Sequence, residues 1–357
     1  MKSNRNVPEK VIGLDVSDEY TQVCVLDRDG EAIEQSRVRT TPAGIRRRFA
    51  SLPRTRMALE VGPHSPWLSR LLDELGHEVI VANPRKLRMI YQNERKSDQA
   101  DAWYLARVAR LDPKLLSPLR HRSPQAQADL ALVRARARLV AARTQLVNHV
   151  RGTVKAFGLR LRKNSTRIFA KTSADAIPEC LQPALAPMLE TIDYLTEQIR
   201  SCERQMEEVC RQRYHHTELL RQVTGVGPIT SMTYVLTIDD PSRFAKSRAV
   251  GSYLGLACRR SQSGDQDPEL KITKTGDPAL RFLLVQSAHY ILGPFGPDTD
   301  LKRWGLALAA RGRKNAKKRA VVAVARKLAV LLHRLWVTGA VYEPLRQQPT
   351  ALAVGAN

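Results

Sequence analysis

The chain is poor in the features that organise secreted, zinc-built or membrane-spanning proteins. Its five cysteines, Cys24, Cys180, Cys202, Cys210 and Cys258, are scattered with no CxxC and an odd total. A disulfide scaffold and a zinc ribbon are excluded on that basis. Eight histidines form neither HxxxH nor HExxH, so the helical zinc-hydrolase pattern is missing too. No apolar run approaches the roughly 18 residues that a membrane-spanning helix needs. The opening MKSNRNVPEK also lacks the apolar stretch of a secretory signal, so a cytoplasmic protein with no membrane partner is expected. Negative charge is the scarcest commodity, with 35 Asp+Glu against 58 Lys+Arg and a formal net charge of +23. Solubility alone asks for far less, and an excess of this size points to a polyanionic partner, most often nucleic acid.

What the 357 residues do contain is enough apolar material, 43%, to bury a core in each of two or three domains. The patterning divides the chain at 8–118, 119–215 and 216–345, with a loose Ala/Gly-rich tail at 346–357. In the first region, Val11-Ile12-Gly13-Leu14-Asp15 and Thr21–Leu26 read as strands, and Asp29-Gly30 turns the chain into a third extended stretch over Glu31–Thr40. Thr41-Pro42 opens a helix. Strands Met57–Val61 and Glu78–Ala82 follow around a helix over Pro66–Leu75, and a helix from Ser97 to Leu111 stops at Asp112-Pro113. Three meandering strands followed by alternating helix and strand predict an α/β sheet of ribonuclease H type.

The second region changes period. Leu132, Leu139 and Leu146 recur every seven residues, as do Val133, Val140, Val147 and Val154. Beyond a break at Pro178–Pro187, the sets Ile192, Ile199, Met206 and Met188, Leu195, Cys202 keep the same spacing. Sustained sevens predict long helices paired as a coiled-coil hairpin, with an ordinary helical bundle as the plainer outcome and a protomer–protomer surface as a further expectation. Between Arg120 and Arg167 stand twelve Lys or Arg residues, among them Arg134, Arg136, Arg138, Arg143, Arg160, Arg162 and Lys163, against the single acid Asp129. Like charges at helical spacing repel, so this one-signed face reads as a track for a phosphate backbone. In the third region, Gly225-Val226-Gly227 between two helical patterns reads as a helix-hairpin-helix turn whose backbone N–H groups can meet phosphate. A second basic block runs through Arg311, Arg313, Lys314, Lys317, Lys318 and Arg319 to Arg326 and Lys327 without an intervening acid.

Four acids stand at element boundaries. Asp15 and Glu60 fall at or near the ends of two predicted strands, where both reach the carboxyl edge of a sheet. Asp98 and Asp101 lie three apart on one face of the helix that begins near Ser97. Taken singly, each is a surface residue or a helix cap, and Ser97-Asp98 suits a cap. Together at one edge, four carboxylates would repel unless a hard, oxygen-preferring cation neutralised them, and Mg²⁺ is the natural candidate for phosphodiester chemistry. An actin-like fold also begins with an acid-terminated first strand, but it wants a glycine-rich phosphate loop next, and Asp18-Glu19-Tyr20 stands there instead.

The ordered set Gly13-Leu14-Asp15-Val16-Ser17, Glu60-Val61-Gly62-Pro63, Asn83-Pro84 and Lys96-Ser97-Asp98-x-x-Asp101-Ala102 resembles the DEDD transposases of bacterial insertion sequences. The C-terminal half continues the resemblance with Val223–Pro228, Ser252-Tyr253-Leu254-Gly255-Leu256, Gln262-Ser263-Gly264, Lys271–Asp277 and Leu280-Arg281. The resemblance spans nearly the whole chain in order. It implies a RuvC-like catalytic domain and an RNA-guided DNA recombinase, in which a structured bridge RNA pairs with donor and target DNA while the protein supplies charge and shape. It implies dimers that pair into tetramers through the coiled coil. It places Asp15, Glu60, Asp98 and Asp101 on the Mg²⁺-binding acids and Ser263 on a nucleophilic serine. That serine attacks a DNA phosphate, giving a phosphoserine and a free 3′ hydroxyl that then attacks the partner's phosphoserine. Gly225, Gly227, Lys271, Lys274 and the two basic blocks are then assigned to nucleic acid. On its residues alone, Ser261-Gln262-Ser263-Gly264-Asp265 is a surface turn. Two other functions compete: a metal-dependent nuclease or Holliday-junction-resolvase-like enzyme without a covalent step, and a nucleic-acid-binding structural protein with vestigial acids.

Overall fold

The computed structural model describes residues 9–84, 98–262, 270–312 and 315–345. Its contacts divide the chain into two compact units, Met1–Arg122 and Ser123–Asn357. The first is built on a five-stranded sheet in the order β3-β2-β1-β4-β5, formed by β1 (Val11–Val16), β2 (Tyr20–Leu26), β3 (Ala32–Arg39), β4 (Arg56–Glu60) and β5 (Glu78–Ala82). β1, β2 and β3 form an antiparallel meander, whereas β1, β4 and β5 run parallel. The Asp27 carboxylate turns the β2–β3 hairpin by accepting from the backbone N–H groups of Asp29, Gly30 and Glu31 at 2.8–2.9 Å.

Strand alternation splits the apolar residues between two cores. Ile12, Leu14, Met57 and Leu59 pack with Ile45 and Phe49 of α1 (Pro42–Phe49) and with Leu68, Leu71 and Leu72 of α2 (Ser65–Glu74). Val11, Ala58, Ile80 and Ala82 face the other way, against Ala102, Leu105, Ala106 and Ala109 of α3 (Asp98–Leu111). Thr41 caps α1 by accepting from the Gly44 N–H, with Pro42 at the first position. Buried His77 joins α1 to β4: its Nδ1 lies 3.3 Å from the Thr55 N–H, and its Nε2 lies 3.1 Å from the Phe49 carbonyl. This mixed sheet, flanked by helices on both faces, is consistent with a RuvC-like DEDD domain.

The second unit is mostly helical. Two helices of 33 and 32 residues, α4 (Pro124–Ala156) and α6 (Gln182–Arg213), form an antiparallel hairpin, with short α5 (Phe169–Ser173) packed on α6. Antiparallel order follows from the contacts Arg143–Thr196, Arg136–Glu203 and Asp129–Arg213, in which one number rises as the other falls. The buried seam contains Val133, Val147 and Val154 on α4 and Ile192, Ile199 and Met206 on α6, three members of the valine set and all of the isoleucine–methionine set. A second core gathers α7 (His216–Arg221), α8 (Pro228–Ile238), α9 (Arg248–Tyr253), α10 (Pro278–Leu292), α11 (Asp300–Ala309) and α12 (Ala316–Thr338) around Leu284, Val324, Leu328 and Leu332. No helix among the described residues is long and apolar enough to cross a membrane.

Candidate active site at the carboxyl edge of the sheet

β1 and β4 are neighbours, with Leu14 paired to Leu59, so Asp15 and Glu60 come next in register on adjacent strands about 4.8 Å apart. Alternation assigns both acids to the face that packs on α3, because Leu14 and Leu59 belong to the opposite core. The direction of α3 is fixed by two contacts. Arg56, the first residue of β4, donates from Nη1 to the Ala109 carbonyl at 3.3 Å, near the helix C-terminus. Gly13, two residues before Asp15, lies directly under Ala102: a Cβ there would sit 1.8 Å from the Ala102 carbonyl oxygen and 2.7 Å from the Ala106 nitrogen. α3 therefore runs antiparallel to β1 and β4 and aims its first turn, with Asp98 and Asp101, at the edge that carries Asp15 and Glu60. Only glycine at position 13 permits that approach.

Asp15, Glu60 and Asp101 are each half-buried, and the side chain of Asp98 lies outside the described residues. Among the described residues no three His, Cys, Asp or Glu side chains are grouped closely enough to enclose a metal ion. The structure thus brings the acids to one edge without gathering three described ones into a closed cluster. Their donor chemistry, oxygen only, suits a hard divalent cation.

Sequence reasoning passed over a polar network in the loops after the same strands. His64 Nδ1 accepts from the Trp67 indole N–H at 3.1 Å, which leaves its proton on Nε2, 2.9 Å from Asp18 Oδ1. His121 Nε2 lies 3.0 Å from Ser65 Oγ, which itself donates to the Gly62 carbonyl. Burial first, and then the charges of Arg70 and Arg122, hold the His121 imidazole below its ordinary pKa. Spacing gives no hint of these contacts; the one available signal is that Asp18 and His64 each follow a strand-end acid within a few residues.

Ser263, together with Arg313 and Lys314, falls outside the described residues. The frame around Ser263 is described. Arg259 N donates to the Lys271 carbonyl and Thr273 N to the Ala257 carbonyl, so a short antiparallel ladder pins the base of the connection that carries Ser261 and Ser263. Below it, Gly255 and Gly276 interlock at φ +70° and +77°: a Cβ on Gly255 would meet Thr275 N at 2.3 Å, and one on Gly276 would meet the Tyr253 carbonyl at 2.2 Å. Arg281 Nη1 ties both segments by donating to the Leu254 and Thr275 carbonyls at 3.1 and 2.9 Å. The motifs around Gly255, Gly276 and Arg281 are therefore a scaffold for that loop base. Ser261 is exposed.

The basic residues divide. Arg134, Arg138, Arg160, Arg162, Lys163, Lys271, Lys274, Lys317, Lys318 and Arg319 are exposed. Arg136 and Arg143 instead turn into the hairpin: Arg136 Nε bonds Glu203 Oε1 at 3.1 Å, and Arg143, 6% exposed, donates to Thr196 Oγ1 at 3.1 Å. For these two the structure gives a place inside the helix pair, apart from the exposed track. Gly225 packs against Ser287, Tyr290 and Ile291 of α10, whereas Gly227 precedes α8 with open space around it.

Comparison with known proteins places both halves. Residues 12–158 match the family model of IS110-type DEDD transposases, and residues 217–298 match that of the transposase IS116/IS110/IS902 family. A probable family 20 transposase of Pseudomonas aeruginosa is 30% identical over 343 residues, covering 93% of this chain and 98% of that protein. The transposase of insertion sequence element IS1111A from Coxiella burnetii is 27% identical over 341 residues, 91% of this chain and 89% of that one. A pilin gene-inverting protein of Moraxella bovis is 25% identical over 260 residues, 71% of each. A DEDD domain of this kind implies dependence on a divalent metal. The chain belongs to the IS110/IS116 family of insertion-sequence transposases, enzymes that cleave and rejoin DNA.

Proposed function

We propose that this transposase exchanges strands between donor and target DNA under the direction of a structured bridge RNA, through a phosphoserine on Ser263. The observation that carries the reading is the placement of α3: its first turn, with Asp98 and Asp101, is aimed at the edge where Asp15 and Glu60 end adjacent strands. These four carboxylates would hold Mg²⁺, which when bound supplies charge neutralisation at a reacting phosphate. Ser263 Oγ attacks phosphorus, the P–O3′ bond breaks, and the 3′ oxygen leaves as a hydroxyl. That hydroxyl then attacks the phosphoserine of a partner protomer, the new phosphodiester forms, and the serine hydroxyl is regenerated, so no bond energy is lost. The pilin gene-inverting relative supports conservative exchange, since inversion cuts and rejoins the same DNA. The exposed Arg134, Arg138, Arg160, Arg162 and Lys163, with Lys271, Lys274, Lys317, Lys318 and Arg319, would carry the phosphate backbones of DNA and RNA. Gly227, at the open N-terminus of α8, is assigned to DNA as part of a helix-hairpin-helix turn. The long hairpin would join protomers as a coiled coil in dimers and tetramers, and the reaction belongs in the cytoplasm.

The test combines full-length protein, RNA transcribed from the flanks of the element, labelled junction DNA and Mg²⁺. A protein–DNA adduct that survives denaturation is expected, lost in Ser263→Ala and retained in Ser261→Ala. Asp15→Asn or Glu60→Gln should lower adduct formation by about 10³-fold or more. Cleavage without an adduct would replace this reading with that of a metal-dependent nuclease, and nucleic-acid binding with the acids dispensable would leave a structural binding protein.

A further inference from the structure

The seam between α4 and α6 follows strict alternation of three and four residues on both helices. On α4 it runs Ala126, Asp129, Val133, Arg136, Val140, Arg143, Val147, Val150, Val154; on α6 it runs Leu185, Leu189, Ile192, Thr196, Ile199, Glu203, Met206. Two apolar clusters occupy its ends. One holds Val147, Val150 and Val154 against Leu185, Leu189 and Ile192, and the other holds Ala126, Leu130 and Val133 against Met206. Between them two polar layers flank an apolar one, Val140 with buried Ile199. Arg136 pairs with Glu203, and Arg143 donates to Thr196, whose hydroxyl donates onward to the Ile192 carbonyl. At the open end of the hairpin, Arg213 and Tyr214 both reach Asp129, at 2.7 Å each.

An all-apolar seam would bury these helices more cheaply, because a buried guanidinium loses hydration that one partner only partly replaces. Arg143 shows the cost plainly: it is 94% buried, its Nε has no hydrogen-bond partner, and burial together with Arg167 and Arg136 holds its pKa down. We infer that Arg136 and Arg143 of α4, with Glu203 and Thr196 of α6, are a pairing code: they make the α4 seam an interaction surface that accepts only an antiparallel α6, in one register. The counter-arrangements fail on charge. Asp129 is the only acid between Arg120 and Arg167, so no pairing of α4 with another α4 supplies acids for both arginines. Sliding α6 by seven residues one way sets Asp129 opposite Glu203 and Arg143 opposite Leu189. Sliding it the other way gives Arg143 an acid but leaves Arg136 facing Cys210. A polar residue in an otherwise apolar heptad seam selects partner and register in this manner, at some expense of stability. The code therefore reserves the seam for α4–α6 pairing and leaves contacts between like helices of two copies to the outer faces of the hairpin.

Full-length variants test this without reference to DNA chemistry. Arg136→Glu alone and Glu203→Arg alone should each raise hydrogen-exchange opening of α4 residues 133–147 by about 10-fold or more, and the reversed pair R136E/E203R should return it to within about threefold of wild type. Replacing all four polar residues by leucine should leave thermal stability equal or higher while the protein changes from one oligomeric state to a mixture in size-exclusion light scattering. If the charge-reversed pair is no better than the single variants, or if the four-leucine protein keeps one oligomeric state, the pairing code is wrong.

Discussion

The two units handle charge in opposite ways. In the sheet unit the buried polar residues among those described include no carboxylate or guanidinium, only Thr21, Thr40, Thr55, Ser65, Ser69 and His77, and the half-buried Asp15, Glu60 and Asp101 sit at strand ends or in the first turn of α3. In the hairpin Asp129 and Arg143 are buried outright. A sheet covered on both faces has two apolar cores to hold it, so its charges are left for a rim where a cation or a phosphate can meet them. A pair of long helices has one narrow seam and must define its own register, and charge inside the seam does this at a cost that an apolar core avoids. Position within the architecture, rather than residue type, thus decides what an Asp or Arg is for.

The largest effect expected to break this contrast is at Gly13. Gly13→Ala places a methyl 1.8 Å from the Ala102 carbonyl, and a backbone atom cannot swing aside, so the sheet unit should lose about 3 kcal/mol or more in denaturant unfolding. Gly62→Ala, two residues after Glu60 with nothing within 4 Å of the added carbon, should stay within about 0.5 kcal/mol. Equal costs at the two glycines would refute the close approach of α3.

A smaller loss is expected in the helical unit. Gly255→Ala meets Thr275 backbone atoms at a positive φ and should cost about 2–3 kcal/mol. If the reaction runs through the proposed Ser263 adduct, the substitution should also abolish its formation at temperatures where the protein remains folded. An unchanged adduct yield would show that the interlock does not position the loop.

The smallest effect is a pH slope. His121 has a depressed folded pKa, so below about pH 6.5 the unfolded chain takes up a proton more readily than the native protein does. Its contribution to stability is complete above that pH and declines as pH falls below it. The melting temperature of the wild type should drop between pH 7 and 5.5, and His121→Gln should flatten that slope. A slope unaltered by the substitution would assign it to another group.

Much of the sheet unit was legible because its elements obey local rules. Period-two strands, Thr41-Pro42 and Asp29-Gly30 located the boundaries, and the structure sets β1 through β5 within one or two residues of expectation. The approach of the first turn of α3 to the edge where Asp15 and Glu60 stand on adjacent strands was foreseeable, because each acid stands at an element boundary. The His64–Asp18 contact was not, because it joins residues 46 apart in loops that carry no periodic pattern. The long helices were legible in their sevens. The fate of Arg136 and Arg143 was missed because a basic run invites a single reading, although Asp129, Arg136, Arg143 and Val150 share one heptad position and the last is plainly core. The roles of Gly255, Gly276 and Arg281 needed coordinates, since two glycines 21 residues apart show nothing of their interlock in sequence.

The tautomer of His64 has one more consequence. An imidazole four residues beyond Glu60 is an invitation to zinc or copper, which favour nitrogen over oxygen and outcompete harder ions for such sites. Here the indole of Trp67 occupies one ring nitrogen and the carboxylate of Asp18 engages the other. Both ring nitrogens are engaged, which fixes the tautomer and the plane of the imidazole. Trp67, three residues further along the chain, thereby sets the orientation of a ring at the loop after β4, so a change at Trp67 would free His64 to turn and present a different nitrogen to its surroundings.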